Sequence, residues 1–286
     1  MQNPERKPTP AVVFDSSLED DISQVLALAQ LLGCHSRQEV RVTSLSVSRN
    51  NLRTAAFCDL MGRFFGTSLS IGMAVNVAAS TSVPPMLSAV LTRQTPEGKP
   101  VYNRVVEKLN DTADPVALIR NALTSQQDQN TVVVLAGPSV NLLGLLALPE
   151  GKKLVQKKVR VLVVAAPFDA KLLAEWPGAA IIAGEEIGQS LPFPGAGIEE
   201  DFAWAANHPL VDAYRAARMM PYDVSSAAMA AVLYAAHPEE NYFKLSEPQG
   251  RQRQLIADTN QKDRVIQAYR QAVSAKPPER RGARGA

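Results

Sequence analysis

Short apolar runs alternate along the chain with stretches whose apolar positions recur every three or four residues, the pattern of strands followed by helices. Ala11-Val-Val-Phe14 is the first run and ends at Asp15; Ile22 to Leu32 then has helical spacing up to Gly33, which reads as a C-cap. Val40 to Val47 alternates hydrophobic with polar residues as a strand does, and Thr54 to Phe65 reads as a helix that stops at Gly66. Leu69 to Met73 is a short third strand. Asp114-Pro115 introduces a helix over Val116 to Thr124, with Asp as N-cap and Pro in the first turn. Thr131-Val-Val-Val-Leu-Ala136 is continuously apolar, as a parallel strand covered on both faces must be, and leads through Gly137-Pro138 into a leucine-rich helix. Val159 to Ala166 repeats that character. From Asp201 onward the chain reads mainly helical, with an alanine-rich stretch from Asp223 to Ala235 and a terminal hairpin over Tyr242 to Ile256.

This alternation predicts an α/β fold, a doubly wound, mostly parallel sheet flanked by helices, whose ligand site lies beyond the carboxyl ends of the strands. Asp15, Asn50 and Pro138 fall at such ends. The expected organisation is one domain over residues 11–275 between flexible tails at 1–10 and 276–286, with no internal repeat. At 286 residues with 46% hydrophobic and 20% charged positions, the chain has the profile of a globular protein with a substantial core. The net charge is +2 and basic residues cluster only from Lys276 onward, so no nucleic-acid partner is expected. No run approaches the roughly 20 apolar residues of a membrane span, so no membrane partner is expected either. The first ten residues lack a signal-peptide core, yet Gln2 to Pro10 also reads as a linker left after signal removal; cytoplasmic and exported locations both stay open. Cys34 and Cys58 sit within apolar helical patterns and are expected as buried free thiols. His35, His208 and His237 are spaced too widely for a metal motif, and His208-Pro209 and His237-Pro238 read as turns.

The order of four motifs is more specific: Phe14-Asp-Ser-Ser-Leu, Leu26-Ala-Leu-Ala, Ser48-Arg-Asn-Asn-Leu followed by Ala55-Ala-Phe-Cys-Asp, and Val133-Val-Leu-Ala-Gly-Pro-Ser-Val-Asn-Leu142. With Leu172-Leu-Ala-Glu-Trp-Pro177, His208-Pro-Leu-Val-Asp-Ala-Tyr214 and Ala231-Val-Leu-Tyr-Ala235, they resemble the inosine/uridine-preferring nucleoside hydrolase family over roughly residues 11–275. The resemblance implies hydrolysis of the N-glycosidic bond of ribonucleosides. It also implies a calcium ion held by an aspartate cluster after the first strand and by one late aspartate, and a dimer or tetramer. Calcium needs six to eight oxygen ligands, and the attacking water needs a carboxylate base.

Carried over position by position, the pattern is largely broken. Asp15 keeps the first aspartate, but the second, ligand and general base in the family, is Ser17; the Asp-Asp pair becomes Ser23-Gln24, and the late aspartate becomes Ala228. Ala227 precedes it, where the family often has histidine or tryptophan. A competing alignment shortens the loop and sets Asp20-Asp21 on the pair; the alternative for Glu19-Asp20-Asp21 is acids at a helix N-terminus. The glycine-rich loop that holds ribose in the family is cut to Ala166-Pro-Phe-Asp-Ala. Asn50 and Asn141 are candidate ligand contacts, each with a capping or turn role as its alternative, and Asn51 is a candidate cap. Ser17 and Ser23 lack an identifiable base partner, and Ser17 also removes the second aspartate that a haloacid-dehalogenase-like site requires.

The expectation is therefore a scaffold of this family without its calcium, inactive or strongly altered, binding a nucleoside or ribose-like molecule or serving in a homo-oligomer. The alternatives are an active ribosyl hydrolase built on Asp15, Asp20 and Asp21, and a structural subunit of an active paralogue.

Overall fold

The computed structural model describes residues 8–18 and 21–277. Eight strands form its sheet: β1 (Ala11–Ser16), β2 (Arg41–Val47), β3 (Ile71–Met73), β4 (Thr131–Ala136), β5 (Val159–Ala165), β6 (Ala180–Ala183), β7 (Phe243–Leu245) and β8 (Gln252–Ala257). Their order is β3-β2-β1-β4-β5-β6-β8-β7, parallel throughout except for the β7–β8 hairpin.

Helices α1 (Ile22–Ser36), α2 (Leu52–Phe64) and α3 (Pro85–Leu91) lie on one face, and α4 (Pro115–Thr124), α5 (Val140–Ala147), α6 (Gly151–Lys158) and α7 (Ala170–Glu175) on the other. The first face is completed by α8 (Glu185–Ser190), α9 (Ile198–Asp201), α10 (Pro209–Ala217), α11 (Ala227–Ala236) and α12 (Lys262–Val273). No described helix is long and apolar enough to cross a membrane.

The two helical layers explain why β1 and β4 are buried at every residue: a parallel strand between layers has no wet face. Successive side chains point to opposite faces, so Val12 and Phe14 join the core under α1 and α11, while Val13 joins the core under α4 and α5. Continued to the strand end, the same alternation sends Asp15 toward α5 and Ser16 toward α1.

Asp114 caps α4 through Ala117 N, as its position before Pro115 predicts, and the hairpin forms where expected, its second strand running one residue further, to Ala257. Cys34 and Cys58 are buried free thiols. The four-residue β6 and the proline-initiated α3 were not anticipated; both are too short for periodicity to distinguish them from loop. The alanine-rich helix starts at Ala227, not near Asp223, because residues around Val224 bridge to Phe193 instead. Residues 1–7 and 278–286 of the expected tails lie outside the described residues, whereas Thr9 and Pro10 are tied in by bonds to Asn130 and Arg41.

Gly33 corrects one expectation. It is not a C-cap but lies inside α1, where a β-carbon would sit 1.9 Å from the carbonyl oxygen of Ala272. Its lack of a side chain lets α12 approach α1. Gly33→Ala should therefore destabilise the protein by about 1–3 kcal/mol in urea denaturation, although the same change in an unpacked helix would stabilise it. An unchanged or raised midpoint would contradict this packing role.

Candidate functional site

β1 ends between β2 and β4, with Asp15 opposite Ser46 on one side and Leu135 on the other. Its carboxyl group is fully buried. Oδ1 accepts from Asn141 Nδ2 at 3.0 Å and Ser46 Oγ at 3.1 Å, while Oδ2 has no hydrogen-bond partner. Burial raises the carboxyl from its ordinary 3.8 to about 7, outweighing the lowering effect of the bonds from Asn141, Ser46 and the Ser16 backbone.

Asn141 lies within α5, whose N-cap is Ser139, so its expected capping alternative is not what is found; its amide bridges Asp15 and the Val47 carbonyl. Ser46 was missed by sequence reasoning. The available signal was the alternation Ser44, Ser46, Ser48, which in a strand covered on both faces buries hydroxyls that need partners.

On the opposite face, Gln24 turns back from the first turn of α1. Its Oε1 accepts from Ser16 Oγ at 2.7 Å, Ser17 Oγ at 3.2 Å and Leu18 N at 2.7 Å. Ala136 O, 3.0 Å from Ser16 Oγ, competes with Gln24 Oε1 for the single hydroxyl proton. The adjoining β4 turn fits closely: a β-carbon on Gly137 would lie 2.6 Å from Ser17 N, so only glycine lets the two strand ends meet this way. Leu18 enters the core, completely buried. Ser16, Ser17, Leu18 and Gln24 thus form a self-satisfied junction.

Among the described residues, the other candidates make no side-chain hydrogen bond to either network. Asp21 is the N-cap of α1, accepting from Ser23 N at 2.8 Å and Ser23 Oγ at 2.6 Å. Asp20, with Glu19, falls outside the described residues. Asn50 donates to the carbonyls of Val75 and Val77, and Asn51 caps α2 through Arg53 N and Thr54 N. Ala227 and Ala228 are buried in the first turn of α11. Residues 166–169 alone join β5 to α7, and Asp169 there caps α7 and accepts from Ser139 Oγ at 2.6 Å. His208 is the N-cap of α10, ringed by Phe64, Phe65, Phe202 and Trp204, and burial holds its imidazole down at about 3.

Among the described residues, three Cys, His, Asp or Glu ligand atoms close enough to share an ion are not found at Asp15; they occur at Cys34, Glu39 and His237. Of five surface clefts of about 360–540 Å³, none is lined by Asp15, Ser17, Gln24 or Ala228.

No family model and no curated protein matches the sequence. Solved structures do match the fold. A plant nucleoside hydrolase superposes with a TM-score of 0.65 at 14% identity, over 94% of this chain and 100% of its own. The inosine-uridine preferring nucleoside hydrolase of Bacillus anthracis gives 0.66 at 14% identity, over 93% and 100%. The fold is that of the nucleoside hydrolases. The type III effector XopQ, solved in complex with adenosine diphosphate ribose, has the same fold, with a TM-score of 0.67 at 10% identity over 94% of this chain and 95% of that one.

On this nucleoside-hydrolase scaffold, Asp15 leaves a pH signature. Unfolded, its carboxyl ionises near 3.8; folded, it keeps its proton to about 7. Between those values the folded state holds the extra proton, so the contribution of Asp15 to stability falls as pH rises, and the loss is complete above about 7. Asp15→Asn removes this dependence. Its stability relative to the parent should climb by about 1.4 kcal/mol per pH unit within that window and level off above it, as read by urea denaturation. A pH-independent difference would show that Asp15 is ionised throughout.

Proposed function

We propose that this protein is a nucleoside-hydrolase homologue that has lost calcium-dependent hydrolysis and binds a ribose-containing small molecule without cleaving it. The observation that carries this reading is the engagement of Gln24 Oε1 by donors from Ser16, Ser17 and Leu18, with Ser17 and Gln24 standing at positions where the resemblance implies carboxylates. Hydrogens converge on that oxygen, and a cation there would have to displace them.

The donor set does not fit calcium. Asp15 is the single acid the carry-over retains there, its Oδ1 already accepts two bonds, and Ser17 and Ala228 bring no negative charge. The general base is missing for the same reason, since Ser17 stands in its place and donates its own proton to Gln24. Asp15 Oδ2, although unpartnered, is fully buried and lines none of the clefts, so ribose recognition rests on the fold likeness and not on that oxygen. The XopQ complex with adenosine diphosphate ribose shows that a protein of this fold takes a ribosyl ligand. Assembly into a homo-oligomer belongs to the same proposal and is checked by sedimentation velocity.

A second reading has one observation in its favour: a carboxyl that titrates near 7 is matched to acid–base catalysis at neutral pH. It would make the protein an active ribosyl hydrolase through Asp15 with Asp20 and Asp21. Asp21, however, is committed to capping α1.

Incubation with a panel of purine and pyrimidine ribonucleosides, with and without calcium, should release no free base, whereas adenosine diphosphate ribose or a nucleoside should raise the melting temperature of the protein. Base release that depends on calcium overturns the proposal. Calcium-independent release abolished in Asp15→Asn establishes the second reading.

A further inference from the structure

At the amino-terminal edge of the sheet, away from Asp15, the end of α1 and the end of α11 bring together three side chains distant in sequence. Cys34 Sγ, a carboxylate oxygen of Glu39 and a ring nitrogen of His237 lie within 4.8 Å of one another. We propose that they form a site for a zinc-class divalent transition metal, bound by one thiolate, one carboxylate and one imidazole, with a fourth position open to water.

The backbone sets this cluster. α1 closes in a tight turn in which Gln38 N donates to His35 O and Glu39 N to Cys34 O at 3.0 Å, with Gln38 in the left-handed region at φ 62°. That turn folds Glu39 back over Cys34. His237 is the C-cap of α11, its N–H bound to Leu233 O at 2.9 Å, and α11 packs directly on α1. The ligands therefore come from the end of α1, the turn that follows it and the C-cap of α11, two core helices whose relative position the fold already determines.

The spacing is close to what zinc requires. His237 Nε2 and Glu39 Oε2 are 3.2 Å apart. A tetrahedral ion with metal–nitrogen and metal–oxygen bonds near 2.1 Å has an edge of about 3.4 Å. Cys34 Sγ, within 4.8 Å of both, must close to about 3.6 Å to complete the tetrahedral edges. An outer partner is also in place: Arg37 forks onto Glu39, Nε to Oε1 at 2.8 Å and Nη2 to Oε2 at 3.0 Å, while its Nη1 is fixed by Gln271 O at 2.8 Å. Such a contact orients a ligating carboxylate, and its positive charge offsets part of the negative charge of thiolate and carboxylate.

Access and donor chemistry fit as well. The Glu39 and His237 side chains are 28% and 25% exposed, which leaves an approach for the ion and its water, whereas Cys34 is wholly buried beneath them. Sulfur and imidazole select zinc or cobalt over calcium or magnesium. Binding releases the Cys34 thiol proton to solvent, the sulfur pair it held forming the metal bond.

The test is titration of cobalt chloride into the reduced full-length protein, followed by zinc chloride. One equivalent of cobalt should give a thiolate-to-cobalt charge-transfer absorption that zinc abolishes. The band should vanish in Cys34→Ser and persist in Cys58→Ser. In His237→Ala, a change at a partly exposed position that decides the matter if Cys34→Ser does not fold, affinity should fall by more than about tenfold, the lower end of what even outer-shell losses cost. No saturable band in the parent, a band surviving Cys34→Ser, or affinity unaltered in His237→Ala overturns the proposal.

Discussion

A divalent hard cation is held in a protein when several anionic oxygens converge on one point and have nothing better to bind. Among the described residues, the end of β1 brings Asp15 to one face of the sheet and a network of hydroxyls and a carboxamide to the other. The alternation of a buried strand sends Asp15 to the α5 side and Ser16 to the α1 side; Asp15 Oδ1 and Ser16 Oγ find partners within the protein, while Asp15 Oδ2 has none. Asp15 Oδ1 accepts hydrogen bonds from Asn141 and Ser46, and the buried carboxyl holds its own proton to near neutrality. Gln24 gathers the donors of the β1–α1 turn, which would otherwise be orphaned in the core. Neutral groups paired internally cost far less to bury than acids awaiting an ion.

This pairing also explains how the fold persists at very low identity to the nucleoside hydrolases. What the sheet needs from β1 and β4 is continuous burial between two helical layers, and any set of apolar side chains of the right size meets it. The chemistry at the strand ends is a separate matter, decided by a few side chains that the core does not constrain.

The long, periodic elements were legible from sequence for the same reason. β4 matches its apolar run residue for residue, and α4 begins at the proline its capping aspartate announces. β6 and α3 are too short to carry a period. Gly33 was misread because a glycine near a helix end looks like a cap until the neighbouring helix is known to press against it. At the site, one strand's sequence names Asp15 and Ser17 but not their partners: Asn141 is 126 residues from Asp15 and Ser46 is 31. The Cys34, Glu39 and His237 cluster was hidden likewise, since His237 meets Glu39 across 198 residues. Spacing along the chain reveals local motifs and is silent about meetings made by topology.

The measurement closest to the central claim is a calorimetric titration of calcium into the full-length protein at neutral pH and low ionic strength. The account predicts no saturable heat at millimolar calcium and no change in melting temperature. One-to-one binding that Asp15→Asn abolishes would mean that acids converge at the end of β1 after all, and the claim of a site closed by its own hydrogen bonds would be wrong.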